Sequence, residues 1–84
     1  MAATPRVGFP HIATDPSVQG GEPVIAGTRI PVRAVVVAWQ EYGEVNTLIE
    51  AYPRLSEATL REALAYYEAH REEIDASIRA QADG

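Results

Sequence analysis

The chain has 84 residues, no cysteine and a formal net charge of −5. A chain of this length forms one domain with a small core. The lack of cysteine excludes disulfide bridges, thiolate metal sites and cysteine nucleophiles, and it favours a reducing compartment, so we expect the protein in the cytoplasm. We expect no signal peptide, and no segment approaches the ~20 apolar residues that a membrane helix needs.

The negative charge is concentrated in the C-terminal half. Residues 1–43 carry three arginines and three acids, whereas residues 44–84 carry four arginines and nine acids. An acidic surface is poorly suited to neutralising DNA phosphates and better suited to a basic protein partner. All seven basic residues are arginine. This indicates either a GC-rich coding bias or retention of arginine for forked contacts with carboxylate or phosphate.

The first third of the chain predicts a flexible lead-in followed by a β-rich head. Residues 1–10 have no periodicity and contain two prolines and a glycine, which is typical of a flexible start. Turn residues then divide the chain into short β-prone pieces at residues 11–13, 23–25 and 28–30. We expect two or three short strands here, covered by helices or by a second chain.

The segment Val32–Tyr42 carries two conflicting signals. Three consecutive valines favour a strand. However, Pro31 suits a first helical position, Gly43 suits the residue after a helix end, and apolar residues recur at i, i+3, i+4 and i+7. We therefore predict a helix, with Pro31 as its first residue.

The second half predicts a short helix, a turn and a long helix. Asn46 is the expected N-cap of a helix over residues 47–51, which Tyr52-Pro53 ends. Ser56 is the expected N-cap of a helix running to about residue 79, with acid–base pairs between Glu57 and Arg61 and between Asp75 and Arg79. One face of this helix has apolar residues at heptad-like spacing, and we call it the seam. An arginine occupies one of its positions, and the seam residues are Leu60, Leu64, Tyr67, Arg71, Ile74 and Ile78.

These elements predict a mainly α fold with a small β head. Short N-terminal strands precede a three-helix, helix-turn-helix-like bundle with a long C-terminal helix. The single domain is expected over residues 11–79, after a lead-in over residues 1–10 and before a frayed tail over residues 80–84.

The residue pattern offers no assembled catalytic site. His11 and His70 are the only histidines and do not have metal-ligand spacing. Gly20-Gly21 fits neither phosphate-binding motif. We expect no enzyme activity, no cofactor and no metal.

The helix-turn-helix pattern predicts one candidate DNA-binding surface. Its candidate contacts lie in the turn and at exposed positions of the following helix: Arg54, Ser56, Thr59 and Arg61. Glu57 in the same region repels phosphate. The alternative is that a tight helix pair occurs here as it does in any small helical bundle.

A second set of residues predicts a partner or oligomer interface. Arg29 and Arg33 either bind an acidic partner or phosphate, or pair with nearby carboxylates. Past Tyr67 little chain remains to cover the long helix, so its seam is expected to meet a second copy or a partner protein. The seam residues in this prediction are Tyr67, Arg71, Ile74 and Ile78.

Two motif groups resemble one known family. The first reads His11-Ile12, Asp15-Pro16 and Gly20-Gly21-x-Pro23-Val24-Ile25-x-Gly27-Thr28-Arg29-Ile30-Pro31-Val32. The second reads Tyr52-Pro53-x-Leu55-Ser56 and Ala63-Leu64-Ala65-Tyr66-Tyr67. Together they cover roughly residues 11–70 and resemble the bacterial and archaeal domain-of-unknown-function family 433 (DUF433).

The resemblance implies a helix-turn-helix-type protein similar to VapB-like antitoxins, paired with a PIN-like nuclease as the toxin. It implies no catalytic residue and no cofactor. The leading hypothesis is a dimeric antitoxin that binds operator DNA and blocks a basic ribonuclease with its acidic C-terminal helix. The alternative is a homo-oligomeric interaction module, dimeric or larger, with no nucleic-acid role. An unrecognised enzyme is the least favoured hypothesis.

Overall fold

The computed structural model describes residues 4–6, 8–17 and 21–83, with the backbone alone for residues 4–6, 82 and 83. Within these residues a small antiparallel sheet precedes four helices, which confirms the expected mainly α fold with a β head. The elements are β1 Thr4–Arg6, β2 Phe9–Thr14, β3 Val24–Ile25, α1 Val32–Tyr42, α2 Val45–Ala51, α3 Glu57–Ala69 and α4 Arg71–Asp83.

The sheet has the strand order β1-β2-β3, so β2 is its central strand. The lead-in prediction is wrong for residues 4–6 and 9–10, which pair in β1 and β2, while residues 1–3 and 7 lie outside the described part. The third predicted strand, residues 28–30, is also absent from the sheet. Thr28 makes a turn there, because its hydroxyl donates to the carbonyl of Ile25 and accepts from the amide of Ile30.

The helical prediction for Val32–Tyr42 is confirmed as α1. Burial of one helical face overrides the strand propensity of the valines, because Val32, Val35 and Val36 are all fully buried. Gly43 caps the helix in the left-handed conformation, at φ +75°, and its amide donates to the Trp39 carbonyl at 2.7 Å. Pro31 is the N-cap, one position before its expected place.

The start of α2 differs from the prediction, whereas the start of α3 agrees with it. The extended residue Glu44 precedes α2, and its side chain makes no capping hydrogen bond within the described residues. Asn46 therefore lies inside the first turn of α2 and is not its N-cap. Ser56 caps α3 as expected, since its Oγ accepts a hydrogen bond from the Thr59 amide at 3.1 Å.

The predicted long C-terminal helix is interrupted at His70. The backbone of His70 leaves the helical region, at φ −131° and ψ 42°, and its amide donates to the carbonyls of Tyr66 and Tyr67. The next helix, α4, packs against α1 and contacts α3. This helix also continues to Asp83, through most of the predicted frayed tail, whose last residue, Gly84, lies outside the described part.

The core lies where α3 packs against α1, α2 and β2. All four helices and the strands β2 and β3 contribute to it, through Ile12, Ile25, Val32, Val35, Val36, Leu48, Leu60, Ala63, Tyr66, Tyr67 and Ile74. Within the described ranges, none of the helices is both long enough and apolar enough to cross a membrane.

Candidate functional site

The predicted DNA-binding residues lie around the α2–α3 turn, and three of the four are exposed. Arg54 is exposed in the turn, and Ser56 is exposed at the N-cap. Arg61 is exposed on α3, where its Nε lies 2.7 Å from Glu57 Oε2 in the predicted i, i+4 pair. This pairing offsets part of the positive charge that Arg61 offers to phosphate.

Thr59 is not the exposed contact that the sequence predicted. Its residue is only 8% exposed, and its hydroxyl lies 2.9 Å from Ser56 Oγ. The capped first turn directs Thr59 inward, on the same side of α3 as the buried Ala63 four residues later. That spacing is the sequence signal that identifies its burial.

Of Arg29 and Arg33, both predicted at an interface, Arg33 instead pairs with a nearby carboxylate. Its Nε lies 2.8 Å from Glu22 Oε1, and both side chains are about four-fifths buried. Ser77 in α4 donates to the same Glu22 oxygen at 2.7 Å. This cluster ties the loop before β3 to α1 and α4, so Arg33 is a structural residue, while Arg29 is exposed.

Two of the predicted C-terminal interface residues lie in the protein's own core. Tyr67 is 5% exposed and Ile74 is 1% exposed, so neither is available to a partner. Ile78 is partly buried against the same core, whereas Arg71 is exposed. The interface prediction is therefore wrong for Tyr67 and Ile74, because the bend at His70 directs α4 back onto α1.

Tyr67 anchors α4 through its hydroxyl. The hydroxyl donates to Asp75 Oδ1 at 2.8 Å and accepts a long hydrogen bond, 3.5 Å, from Gln40 in α1. The bond to Asp75, followed by burial, raises the pKa of Tyr67 above its ordinary value of 10.0. Asp75 thus faces Tyr67 instead of forming the predicted pair with Arg79.

The bend creates an acidic depression of about 430 Å³ lined by residues 68–73, which we term the acidic corner. Arg71 donates to both carboxylate oxygens of Glu68, at 2.8 and 2.7 Å, and this raises the pKa of Arg71. His70 Nδ1 lies 3.7 Å from Glu73, and Glu72 is exposed beside it. The sequence predicted one continuous helix here, and a continuous helix has no concave surface at this point.

The α2–α3 turn forms a second depression, the apolar socket, with a volume of about 200 Å³. Burial raises the pKa of the socket residue Tyr52, and the neighbouring phenol of Tyr42 raises it further. The socket has no local signal in the sequence, because its wall combines a residue before α1 with the end of α2 and the turn after it. Its lining is Ile30, Ala51, Tyr52, Pro53, Arg54 and Leu55.

Asp15 and the two histidines make structural contacts within the fold. Asp15 accepts hydrogen bonds from the hydroxyl and the amide of Ser17, at 2.7 and 2.9 Å, and these lower the pKa of Asp15 below 3.8. His11 lies against Glu62, and His70 stacks on Tyr66 with ring centroids 4.3 Å apart. Among the described residues, no cluster of three or more histidine, aspartate and glutamate side chains is placed to hold a metal ion.

These features define a small helical domain on a three-stranded sheet, with surface depressions at the α2–α3 turn and at the His70 bend and no arrangement of described residues that is obviously catalytic. The chain belongs to the DUF433 family, whose sequence profile, described as a protein of unknown function, matches residues 12–67. The family resemblance is therefore confirmed, and α4 lies outside the matched segment.

Two relatives support this assignment. A protein of Sinorhizobium fredii (strain NBRC 101917 / NGR234), described as "Uncharacterized protein y4eO", is 36% identical over 59 residues. That match covers 70% of this chain but only 27% of the relative's length. The crystal structure of a DUF433 member from Anabaena variabilis ATCC 29413 matches with a TM-score of 0.77 and 36% identity, covering 87% of this chain and 71% of that chain.

Proposed function

We propose that this protein is a non-catalytic binding module that serves as the antitoxin partner of a basic, PIN-like ribonuclease in the cytoplasm. One observation carries the proposal: three glutamates and a single arginine line the concave bend of the acidic corner, and Glu72 and Glu73 are not engaged by that arginine. A concave negative surface is suited to a protruding lysine or arginine from a groove that otherwise binds RNA phosphates.

Preorganisation of the bend supports this proposal. The stacked rings of Tyr66 and His70 hold the bend itself, and the hydrogen bond from Tyr67 to Asp75 ties α3 to α4. A surface that is already ordered loses less conformational entropy on binding than a mobile tail does. The corner therefore offers its carboxylates to a partner at a reduced entropic cost.

The test is co-purification with a PIN-like nuclease from the same genome, followed by calorimetry and an assay of ribonuclease inhibition. The Glu72→Lys/Glu73→Lys variant reverses two charges of the acidic corner, and we expect it to weaken binding at least about ten-fold, or about 1.4 kcal/mol. The matched control, Glu44→Lys/Glu50→Lys, makes the same change in net charge at exposed positions beside and within α2.

The control variant is expected to bind within about three-fold of the original protein, which corresponds to less than 1 kcal/mol. Equal weakening by both variants would assign the effect to net charge and not to the corner. The absence of any complex between the two purified proteins would contradict the antitoxin proposal itself.

Operator DNA is a second candidate ligand, favoured by the exposure of Arg54, Ser56 and Arg61 around the start of α3. A dimer would place two such helices against successive major grooves. The test is a gel-shift assay with the promoter of its own gene at low and moderate salt, with Arg61→Ala expected to weaken binding. No retardation at low salt would leave the homo-oligomeric interaction module as the alternative.

A further inference from the structure

The apolar socket has the size of one large side chain. Its volume, about 200 Å³, is below the ~300–1,000 Å³ of typical small-molecule sites. Apart from Arg54 and the phenol of Tyr52, its lining side chains are aliphatic, from Ile30 to Leu55. These properties favour an apolar or aromatic side chain from a protein as the occupant.

Arg54 indicates what charge accompanies that side chain. It lines the socket, is exposed, and forms no ion pair within the described part of the chain. By contrast, Arg33, Arg61 and Arg71 each lie within 3 Å of a glutamate oxygen. An unpaired guanidinium beside an apolar hollow favours an occupant that carries a carboxylate next to its apolar group.

The end of α1 offers that combination. Tyr42 and Val37 are the large hydrophobic residues that stand exposed in the described chain, at 51% and 41%. Glu41 precedes Tyr42, is also exposed, and forms no ion pair with any described residue. Tyr42 is the last residue of α1, which packs against α2, and the end of α2 and the turn after it line the socket.

We propose that a second copy of this chain docks here, with Tyr42 of each copy filling the apolar socket of the other and Glu41 facing Arg54. Because α1, which ends at Tyr42, packs against α2, which leads into the socket, a two-fold axis can bring both contacts together, as an isologous interface requires. The proposal goes beyond the antitoxin function and depends on neither a nuclease nor DNA.

The size of the contact sets the expected strength of the dimer. A buried tyrosine covers about 150–250 Å². Two tyrosines and their sockets thus give an interface near or below the ~1,200–2,000 Å² of stable complexes. We therefore expect a weak dimer that forms in a concentration-dependent way from the micromolar range upward.

The test is sedimentation velocity on the intact purified chain over a wide range of protein concentration. Glu41→Arg and Arg54→Glu, made singly, are expected to weaken dimerisation at least about ten-fold, or about 1.4 kcal/mol. The double variant restores the opposite charges with their positions exchanged and is expected to recover most of the association. Tyr42→Ser is expected to give a monomer.

Val37→Ser is the matched control, because Val37 is exposed on α1 but lies roughly 140° around the helix from Tyr42. It is expected to leave the dimer unchanged, and circular dichroism of every variant checks the fold. A chain that is monomeric at all concentrations overturns the proposal. So does a dimer that tolerates Tyr42→Ser, or one that the charge exchange fails to restore.

Discussion

Glu62 in α3 holds His11 in β2 at two points. Its Oε2 accepts the backbone amide hydrogen bond of His11 at 2.5 Å, and its Oε1 lies 2.8 Å from the imidazole Nδ1. An ionised carboxylate can only accept, so Nδ1 carries the proton in this contact. The Glu62 side chain is 17% exposed. This single carboxylate therefore fastens the central strand of the sheet to the central helix across 51 positions of sequence.

Replacing Glu62 is expected to loosen the sheet from the helices. Glu62→Ala removes a charged acceptor from two donors, and we expect the free energy of unfolding in urea to fall by about 1–3 kcal/mol. Glu57→Ala is the control, because it breaks a pair on the same helix whose side chains are more than half exposed, and it should change stability by less than about 1 kcal/mol. Equal losses for the two variants would contradict a special role for Glu62.

Ile74 is expected to behave as a core residue of the monomer. It is 1% exposed and belongs to the same cluster as Leu60 and Tyr66. Ile74→Ala should therefore lower the free energy of unfolding by about 2–5 kcal/mol, measured at a protein concentration where the chain is monomeric. Ile78→Ala, at a partly buried position, should have a smaller effect. An Ile74→Ala monomer of unchanged stability would show that α4 is not part of the folded core.

Several elements have local sequence signals that agree with their burial pattern, and these could be predicted. The helical face of Val32, Val35 and Val36, the capping glycine Gly43 and the N-cap Ser56 were all identified from spacing and residue type. Each of these signals acts within one or two helical turns. Spacing and capping residues therefore predict these features, although in α1 burial also has to override the strand propensity of the valines.

The bend at His70 could not be predicted in the same way. No proline or glycine interrupts the sequence there, and the apolar spacing continues across it. The break is stabilised by tertiary contacts, namely the edge-on contact of His70 with Phe9 of β2 and the burial of Ile74. Both depressions depend on such contacts, so the sequence indicated the exposed residues Arg54 and Arg71 but not the surfaces they line.

Gly43 provides a test of the left-handed cap between α1 and α2. Its φ is +75°, and a Cβ built there would meet no described atom within 4 Å. The cost of Gly43→Ala therefore comes from the backbone conformation alone, and we expect thermal unfolding to show a loss of about 1–2 kcal/mol. Gly43→Asn should lose less, because asparagine tolerates this region better. A larger loss for asparagine than for alanine would contradict this explanation.

Tyr67 is expected to make stability fall in alkaline solution. Its hydrogen bond to Asp75 and its burial raise its pKa above 10.0, so the folded chain holds this proton more tightly than the unfolded chain does. The stabilising contribution is therefore complete below pH 10 and is lost as the pH rises through the raised pKa. Urea unfolding at stepped pH, with tyrosine ionisation followed by absorbance, measures both effects.

Tyr67→Phe is the variant that isolates this effect. It removes the hydroxyl bonded to Asp75, and we expect it to lower stability at neutral pH by about 1 kcal/mol. It should also make the free energy of unfolding fall less steeply as the pH rises into the alkaline range. The fall that remains is due to Tyr52, whose pKa is raised by burial. When absorbance follows tyrosine ionisation with rising pH, one fewer tyrosine should ionise at the high-pH end of the curve. If the alkaline loss is as steep in Tyr67→Phe as in the original chain, the bond between α3 and α4 does not control it, and Tyr52 becomes the group to replace.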